Sequence, residues 1–233
     1  ARIESMVFKH DVALLKLALP KAPPFAFYAG QYIDLLLPGN VSRSYSIANS
    51  PDQEGILELH IRRRENGVCS EMIFGSEPKV KEKGIVRVKG PLGSFTLQED
   101  SDKPIILLAT GTGYAPIRSI LLDLICQDSS RAVHLYWGAR HQDDLYALEE
   151  AQELTGRLKN ARFTPVLSKA DEGWQGEKGY VQTAATKDYP DLSGYEVYAC
   201  GSVAMIESAK SVLAAQCSLP ETAFYSDAFS PAQ

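Results

Sequence analysis

Residues 105–117 read Ile-Ile-Leu-Leu-Ala-Thr-Gly-Thr-Gly-Tyr-Ala-Pro-Ile, and this stretch decides the fold of the second half of the chain. The apolar run over 105–109 is typical of a strand buried in a parallel sheet. Pro116 suits the first turn of a helix, and apolar residues recur behind it at helical spacing. Gly111 and Gly113 would let backbone N–H groups approach a phosphate. The stretch therefore predicts a phosphate-binding turn, although an ordinary tight turn has the same pattern.

Strand and helix signals alternate through the rest of this half. Strands are predicted over 133–137, 163–167 and 197–200, with helices over 145–158 and behind the capping residue Ser202. This alternation predicts a doubly wound α/β parallel sheet with a ligand edge at the carboxyl ends of its strands. The turn departs from the usual dehydrogenase fingerprint, because Pro116 replaces the third glycine and Arg140 follows the next strand instead of an acidic residue.

The first half of the chain is rich in β-strand signals. Strands are predicted over 12–19, 31–37, 44–48, 56–61 and 85–89, with one helix near 70–74. Short strands at this spacing predict a barrel or a sandwich. The polar stretch 98–103 marks the change in character, so we predict two domains over 1–99 and 100–233.

Composition narrows the function classes. A net charge of −5 over 233 residues argues against a nucleic-acid surface. No apolar run approaches the roughly 20 residues that span a bilayer, and no signal peptide is evident. The four cysteines are scattered, which predicts no metal cluster and a reducing, cytoplasmic location. The chain starts without Met, so we expect processing or excision from a longer protein.

Two motifs in the first half are candidates for cofactor binding. In Arg43-Ser44-Tyr45-Ser46, an arginine can pair with phosphate, and Tyr45 on the same strand face can lie flat on a planar ring. An exposed strand with an incidental arginine is the simpler interpretation. Gly67-Val68-Cys69-Ser70 opens a helix and predicts either a phosphate nest or plain helix capping. The basic run 62–64 fits a phosphate contact, an acidic partner or a solvated strand end.

Two motifs in the second half lie late in the chain. Tyr198-Ala199-Cys200-Gly201-Ser202 ends a strand at the predicted ligand edge, although a buried cysteine is usually inert. The aromatic stretch 224–229 predicts either a terminal strand of the sheet or an aromatic cover over a cofactor ring.

Together, these motifs occur in the order seen in the ferredoxin–NADP reductase superfamily, which the chain resembles over nearly its whole length. It is especially similar to bacterial NAD(P)H:flavin reductases and to the FAD/NAD modules of iron–sulfur flavoprotein reductases such as CDP-6-deoxy-glucoseen reductase. The resemblance implies a six-stranded antiparallel flavin barrel followed by the α/β nucleotide domain. It also implies FAD, NADH or NADPH as cofactors, and an acceptor protein or iron–sulfur domain as partner.

The resemblance implies site residues by position. Arg43 would hold the flavin phosphate, Tyr45 would stack on the flavin ring, and Ser46 would bond near its N5. The remaining implied contacts are His60, Ile61 and Arg62 along the ribityl and phosphate part; Gly67, Val68, Cys69 and Ser70 at the pyrophosphate; Gly111, Thr112, Gly113 and Pro116 at the nicotinamide dinucleotide; Gly138, Arg140 and Tyr146 near its adenosine; Cys200 and Gly201 beside the nicotinamide; and Phe229 with Asp227 over the other flavin face. Ser46, Cys200, Tyr45 and Phe229 would form the catalytic group.

The hypothesis is an NAD(P)H-dependent flavoprotein reductase that passes hydride to bound FAD and electrons to an acceptor. The nest at 67–70 favours retained FAD, because FMN has no pyrophosphate. One alternative is a reductase of dissociable flavin. Another is an electron-transfer module that has lost a [2Fe–2S] domain. Arg140 favours NADPH, whereas Asp143 and Asp144 oppose it, so the nucleotide stays open, as do the acceptor and the oligomeric state.

Overall fold

A computed structural model describes residues 1–229 of the chain. The first half contains six strands and one helix: β1 (Arg2–Lys9), β2 (Val12–Ala18), β3 (Tyr32–Leu37), β4 (Val41–Ser46), β5 (Ile56–Arg62), α1 (Val68–Phe74) and β6 (Arg87–Leu92). All pairings among these strands are antiparallel, as predicted.

The six strands form two three-stranded sheets, ordered β1-β2-β5 and β4-β3-β6. Isolated antiparallel bridges join the sheets at both sides, between Ile47 and Leu59 and between Arg2 and Ile85. Alternate apolar residues fill the space between the sheets, where Ile33 and Leu57 are fully buried. The period-2 pattern of the strands therefore places one face of each sheet in a common core.

The second half consists of strands that alternate with helices. Its elements are β7 (Ile105–Thr110), α2 (Tyr114–Cys126), β8 (Val133–Ala139), α3 (Leu148–Gly156), β9 (Ala161–Leu167), β10 (Glu177–Lys178), α4 (Val181–Asp188), β11 (Glu196–Ser202), α5 (Val203–Cys217) and β12 (Phe224–Phe229). They form one parallel sheet in the order β10-β9-β8-β7-β11-β12. The predicted doubly wound sheet is confirmed, and Ser202 caps α5 by accepting a hydrogen bond from the Met205 amide.

Several boundaries differ from the sequence-based prediction. The helix predicted over 145–158 begins only at Leu148, because a 3-10 turn over Gln142–Asp144 precedes it. In that turn, the Asp144 carboxylate accepts a hydrogen bond from the His141 amide. Helix α4 and the short strand β10 were not predicted.

The two halves share a continuous interface. Phe95 and Leu97 of the first half belong to the same buried apolar cluster as β7 and α2. Arg118 of α2 reaches the Ala48 carbonyl and the Glu58 carboxylate at 2.7 and 2.9 Å, and the Ser119 hydroxyl donates to the Asn49 carbonyl. Buried polar groups at an interface stabilise only one arrangement of their partners, so these bonds hold the halves in register.

The stretch that joins the halves is fixed by a buried ion pair. Arg131 donates to the Gln98 and Lys103 carbonyls and pairs with Glu196 at 2.6 Å. Both side chains of the pair are more than nine-tenths buried. Within residues 1–229, no helix combines the length and the apolar character that crossing a membrane requires.

Candidate functional site

A cavity with a volume of about 880 Å³ lies between the two halves of the chain. Most of the predicted flavin contacts share its wall. The wall is formed by Tyr32, Ser42, Arg43, Ser44, Tyr45, Ser46, His60, Arg62, Arg63, Arg64, Gly67, Val68, Cys69, Ser70, Thr112, Ala115, Asp227, Ala228 and Phe229. Strand β4, the end of β5, the start of α1, the turn after β7 and the end of β12 therefore meet at one place.

Strand β4 supplies the polar and aromatic wall. Arg43 and Tyr45 are half-buried and lie two residues apart, and Ser46 is buried. The Tyr45 hydroxyl and the Cys69 sulfur are 2.9 Å apart, which ties β4 to α1. Burial, with the nearby Cys69, raises the pKa of Tyr45, and burial also raises the pKa of the Cys69 thiol. Both groups therefore stay protonated and neutral at physiological pH.

The turn at 64–70 forms a compact corner of the cavity. Gly67 is the N-cap residue of α1, in agreement with the helix-capping interpretation, and a phosphate nest at this turn stays a prediction. A Cβ at Gly67 would lie 3.2 Å from the Arg64 carbonyl oxygen. The Ser70 hydroxyl accepts a hydrogen bond from the Arg64 amide at 2.7 Å and fixes the corner.

The arginines of the cavity differ in their partners. Arg62 donates to Asp11 at 2.7 Å and to Asp144 at 3.1 Å. The Arg43 guanidinium, by contrast, is bonded only to the adjacent Ser42 carbonyl among the described residues. The prediction that Arg62 contacts phosphate is weakened, because two carboxylates already balance its charge. Arg43 keeps its charge available to an anion.

Residues 60 and 61 point to opposite sides of β5. His60 lines the cavity, and its Nδ1 lies 2.8 Å from the Tyr146 hydroxyl. Burial, with Arg118 and Lys9 nearby, lowers the pKa of His60 to about 3. The Ile61 side chain is buried in the core between the two sheets and does not line the cavity, so a cofactor contact at Ile61 stays a prediction that only its main chain could meet. Strand alternation is the reason.

The glycine turn after β7 packs tightly on the end of β11. Gly111 has φ +54°, and a Cβ at Gly113 would collide with the Cys200 carbonyl. A Cβ at Gly201 would collide with the Thr110 hydroxyl. Close packing of the turn on β11 thus accounts for glycine at these positions, in agreement with the tight-turn interpretation. The contact of these glycines with phosphate remains a prediction. Thr112 alone of this turn lines the cavity, while Pro116 is buried within α2.

Cys200 and Asp227 are direct neighbours across β11 and β12. Cys200 is fully buried, and burial together with Asp227 raises its pKa well above the usual value. Burial also raises the pKa of Asp227, which lines the cavity with Phe229. The stretch 224–229 is a terminal strand of the sheet, as one interpretation predicted, and its end also reaches the cavity. Cys200 itself has no exposed surface in this arrangement.

The predicted adenosine contacts separate. Arg140 is exposed after β8, and its carbonyl accepts a hydrogen bond from the Lys169 amide. Gly138 allows Val181 to approach the sheet, where a Cβ would lie 2.7 Å from it. Tyr146 is only 6% exposed and packs between the halves against His60, and its contact with adenosine stays a prediction.

Sequence reasoning missed residues around the site. Asp11 and Asp144 bind Arg62, and Tyr114 stacks on Trp137 with ring centroids 4.2 Å apart. The Tyr114 hydroxyl is buried without a hydrogen-bond partner among the described residues. Nothing in the spacing of these residues indicates such long-range contacts.

Comparison with known proteins supplies independent findings. Residues 3–97 match the family model of the oxidoreductase FAD-binding domain, and residues 107–211 match that of the oxidoreductase NAD-binding domain. The chain is 42% identical to the CDP-6-deoxy-L-threo-D-glycero-4-hexulose-3-dehydrase reductase of Yersinia pestis, over 100% of the chain and 69% of that protein. It is 36% identical to an NAD(P)H-flavin reductase of Vibrio harveyi, over 80% of each chain. Among solved structures, the cytochrome P450 reductase GcoB of Amycolatopsis matches with a TM-score of 0.89 and 32% identity, over 99% of this chain and 69% of GcoB.

Proposed function

The chain belongs to the ferredoxin reductase family of FAD- and NAD-binding oxidoreductases, and on this basis we propose that it retains FAD in the cavity between its halves. It is an NAD(P)H-dependent flavoprotein reductase module. The observation that carries the proposal is the shared wall of the cavity. The first half contributes all of the wall's arginines, and the second half contributes Thr112, Ala115 and the end of β12.

The cavity suits FAD in size and in charge. Its volume of about 880 Å³ is at the upper end of ordinary cofactor sites, which run from about 300 to 1,000 Å³. Arg43 offers a guanidinium without a carboxylate partner among the described residues, and the corner at 67–70 offers a glycine where a backbone can approach closely. Guanidinium groups match phosphate oxygens in a fork, which favours a cofactor with a pyrophosphate.

Each wall residue would then have a distinct role. Arg43 would pair with phosphate, and the Tyr45 ring would form an apolar platform for the flavin. Tyr45 is held in place by Cys69, because their 2.9 Å contact links β4 to α1. Gly67, Val68 and Ser70 would lie along the pyrophosphate. Since the side chain of Arg62 is engaged by Asp11 and Asp144, it would shape the cavity wall rather than bind phosphate.

Bound FAD supplies the chemistry of accepting a hydride from the nicotinamide and releasing electrons one at a time. The chain positions and tunes it. Ser46 presents a hydroxyl at the buried wall and would donate a hydrogen bond to the flavin. Asp227, whose pKa burial raises, would present its carboxyl group at the same wall. Phe229 would exclude water from the opposite side. The Cys200 thiol stays protonated because burial raises its pKa.

The nucleotide would bind at the carboxyl ends of β7, β8 and β11, where ligands of parallel sheets lie. Backbone groups of Gly111, Thr112 and Gly113 would meet its phosphates, and Arg140 would lie near its adenosine. Cys200 and Gly201 would flank the nicotinamide. This assignment divides the chain into a flavin half over 1–99 and a nucleotide half over 100–233.

The electron acceptor is proposed to be a protein or an iron–sulfur centre. The related P450 reductase and dehydrase reductase are both longer than this chain, which spans 69% of each. The free thiols of all four cysteines support a cytoplasmic location, since reducing compartments keep thiols unpaired.

The first experiment is a visible spectrum of the purified full chain, followed by addition of NADH or NADPH without oxygen. A yellow protein whose flavin bands bleach supports retained FAD, and the faster nucleotide identifies the donor. A colourless protein that reduces only added flavin would favour the alternative in which flavin is a dissociable substrate. The 36% identity to an NAD(P)H-flavin reductase supports this alternative. Absence of reduction with flavin supplied would overturn both.

A further inference from the structure

Two contacts join β5 to the segment that follows β8, and the contacting residues are two positions apart on each of these two segments. His60 Nδ1 lies 2.8 Å from the Tyr146 hydroxyl, and Arg62 pairs with Asp144 at 3.1 Å. The residues of β5 are two apart and so are their partners, so the contacts form two rungs between the halves. The mechanism proposed above assigns a function to neither partner.

The β5 ends of both rungs reach the flavin cavity. His60 and Arg62 lie on the same face of the strand, and both line the cavity wall. A shift of either side chain would therefore change the surface that FAD contacts.

The other ends of both rungs belong to the ligand edge of the parallel sheet. Strand β8 ends at Ala139, and the 3-10 turn over Gln142–Asp144 begins three residues later. Asp144 holds this turn through the His141 amide while it also pairs with Arg62. A nucleotide at the strand ends would contact the exposed Arg140 beside this turn.

The rung formed by His60 and Tyr146 is buried and tightly packed. His60 and Tyr146 are 7% and 6% exposed, and their rings pack edge to face with centroids 5.4 Å apart. Burial lowers the pKa of His60 to about 3, so the imidazole is neutral. The Tyr146 hydroxyl has no other hydrogen-bond partner among the described residues, so its contact with Nδ1 of His60 is the one that orients it.

We propose that Asp144 and Tyr146 are positioning residues that couple nucleotide binding at the sheet edge to FAD binding in the cavity, through Arg62 and His60. Ordering of the turn by nucleotide fixes the two side chains of β5 in the arrangement that contacts FAD. Coupling is reciprocal, so FAD tightens the nucleotide by the same factor. The inference rests on the proposed function, because it requires that both ligands bind at the places named above.

The coupling factor can be measured without turnover. The flavin-loaded full chain is diluted serially, and the fluorescence of released FAD gives its Kd. The ratio of the Kd values without and with the saturating oxidised form of the donor nucleotide is the coupling factor. Typical coupling energies correspond to factors of about 5 to 150, so we expect at least about fivefold tightening in the natural chain.

Tyr146→Phe removes the hydroxyl of one rung, and Asp144→Asn removes the negative charge of the other. Both substitutions leave the shape of the side chain nearly unchanged. We expect each to bring the coupling factor towards 1. Tyr136→Phe is the matched control, because its buried hydroxyl also donates one hydrogen bond, to Asp188 at 2.6 Å, but lies outside the cavity wall. It should keep the coupling factor of the natural chain.

The outcomes separate the inference from the proposed function. If FAD binds but nucleotide leaves its Kd unchanged, or if Tyr146→Phe and Asp144→Asn retain the full factor, the coupling is refuted and the flavin site stands. If all three variants lose the factor equally, the effect is a general loss of stability and the positioning role is refuted. If the natural chain does not bind FAD, the proposed function fails first.

Discussion

Replacement of Arg43 by Ala tests the assignment of the flavin phosphate site most directly. Arg43 lines the cavity from β4, and its guanidinium bonds only to the Ser42 carbonyl among the described residues. The substitution should therefore remove a phosphate contact without breaking an ion pair of the folded chain. We expect weaker FAD binding and nearly unchanged stability.

The size of the effect follows from the type of contact. A hydrogen bond to a charged group contributes about 1.5–3 kcal/mol. At about 1.4 kcal/mol per factor of ten, the Kd of FAD should rise roughly 10- to 150-fold. The Kd of FAD in Arg43→Lys should lie between the values of the natural chain and of Arg43→Ala, because lysine keeps the charge but lacks the planar fork. The loss should also shrink at high salt, since Arg43 is only half-buried.

Dilution of the flavin-loaded chain, monitored by FAD fluorescence, measures the change. Arg87→Ala is the matched control, because it removes the same charge from β6 of the same sheet but lies outside the cavity wall. An exposed substitution of this kind changes free energies by about 0.5 kcal/mol or less. Equal losses of FAD affinity in both variants, or full flavin retention by Arg43→Ala, would refute the phosphate role.

Three further predictions concern chemistry and stability. Ser46→Ala should slow flavin reduction more than it weakens nucleotide binding, because the Ser46 hydroxyl lies in the cavity wall proposed to contact the flavin. Anaerobic stopped-flow absorbance measures the reduction rate and the nucleotide affinity separately, and equal losses in both would count against a role of Ser46 in reduction. Glu196→Gln should lower the free energy of unfolding, measured in urea, by about 3–5 kcal/mol, because it leaves the buried Arg131 without its carboxylate partner. A loss under about 1 kcal/mol would contradict a stabilising role of this ion pair. Burial lowers the pKa of His134 to about 4, whereas an unfolded imidazole titrates near about 6.5, so the unfolded chain binds more protons between these values. The free energy of unfolding should consequently fall as the pH drops from about 6.5 to about 4, and it should fall less steeply in His134→Gln. If both proteins lose stability with pH at the same rate, His134 is not the cause.

The parallel sheet was predictable because its strands are buried on both faces. The run at Ile105–Thr110 contains no charged residue, and five of its six residues are buried. Helix α4 escaped detection because its sequence, Val-Gln-Thr-Ala-Ala-Thr-Lys-Asp, has two β-branched threonines and few large apolar residues. Its packing on α5 and β8 stabilises it, and such tertiary contacts are not contained in local propensity.

The cavity wall was largely predictable, whereas the partners of its charged groups were not. Motifs on β4 and α1 indicated which residues share the wall, because each motif combines residue types suited to a phosphate or a planar ring. The state of Arg62 depends on Asp11 and Asp144, which lie 51 and 82 residues away in sequence. A local pattern cannot show that two carboxylates will meet one guanidinium, and so the ion pairs of Arg62 were not predicted.

The charges that line the cavity explain how an acidic chain can hold an anionic cofactor. The chain carries a net charge of −5, yet the cavity between its halves is lined by four arginines and one aspartate. Charges in water are screened beyond about 10 Å, so the local set decides the potential at the site. With Arg62 balanced by Asp11 and Asp144, the remaining positive charge is carried by Arg43, Arg63 and Arg64. The electrostatic potential is therefore most positive where β4 faces the corner before α1, and a pyrophosphate can be bound there. The wall formed by β12 instead carries the carboxyl group of Asp227.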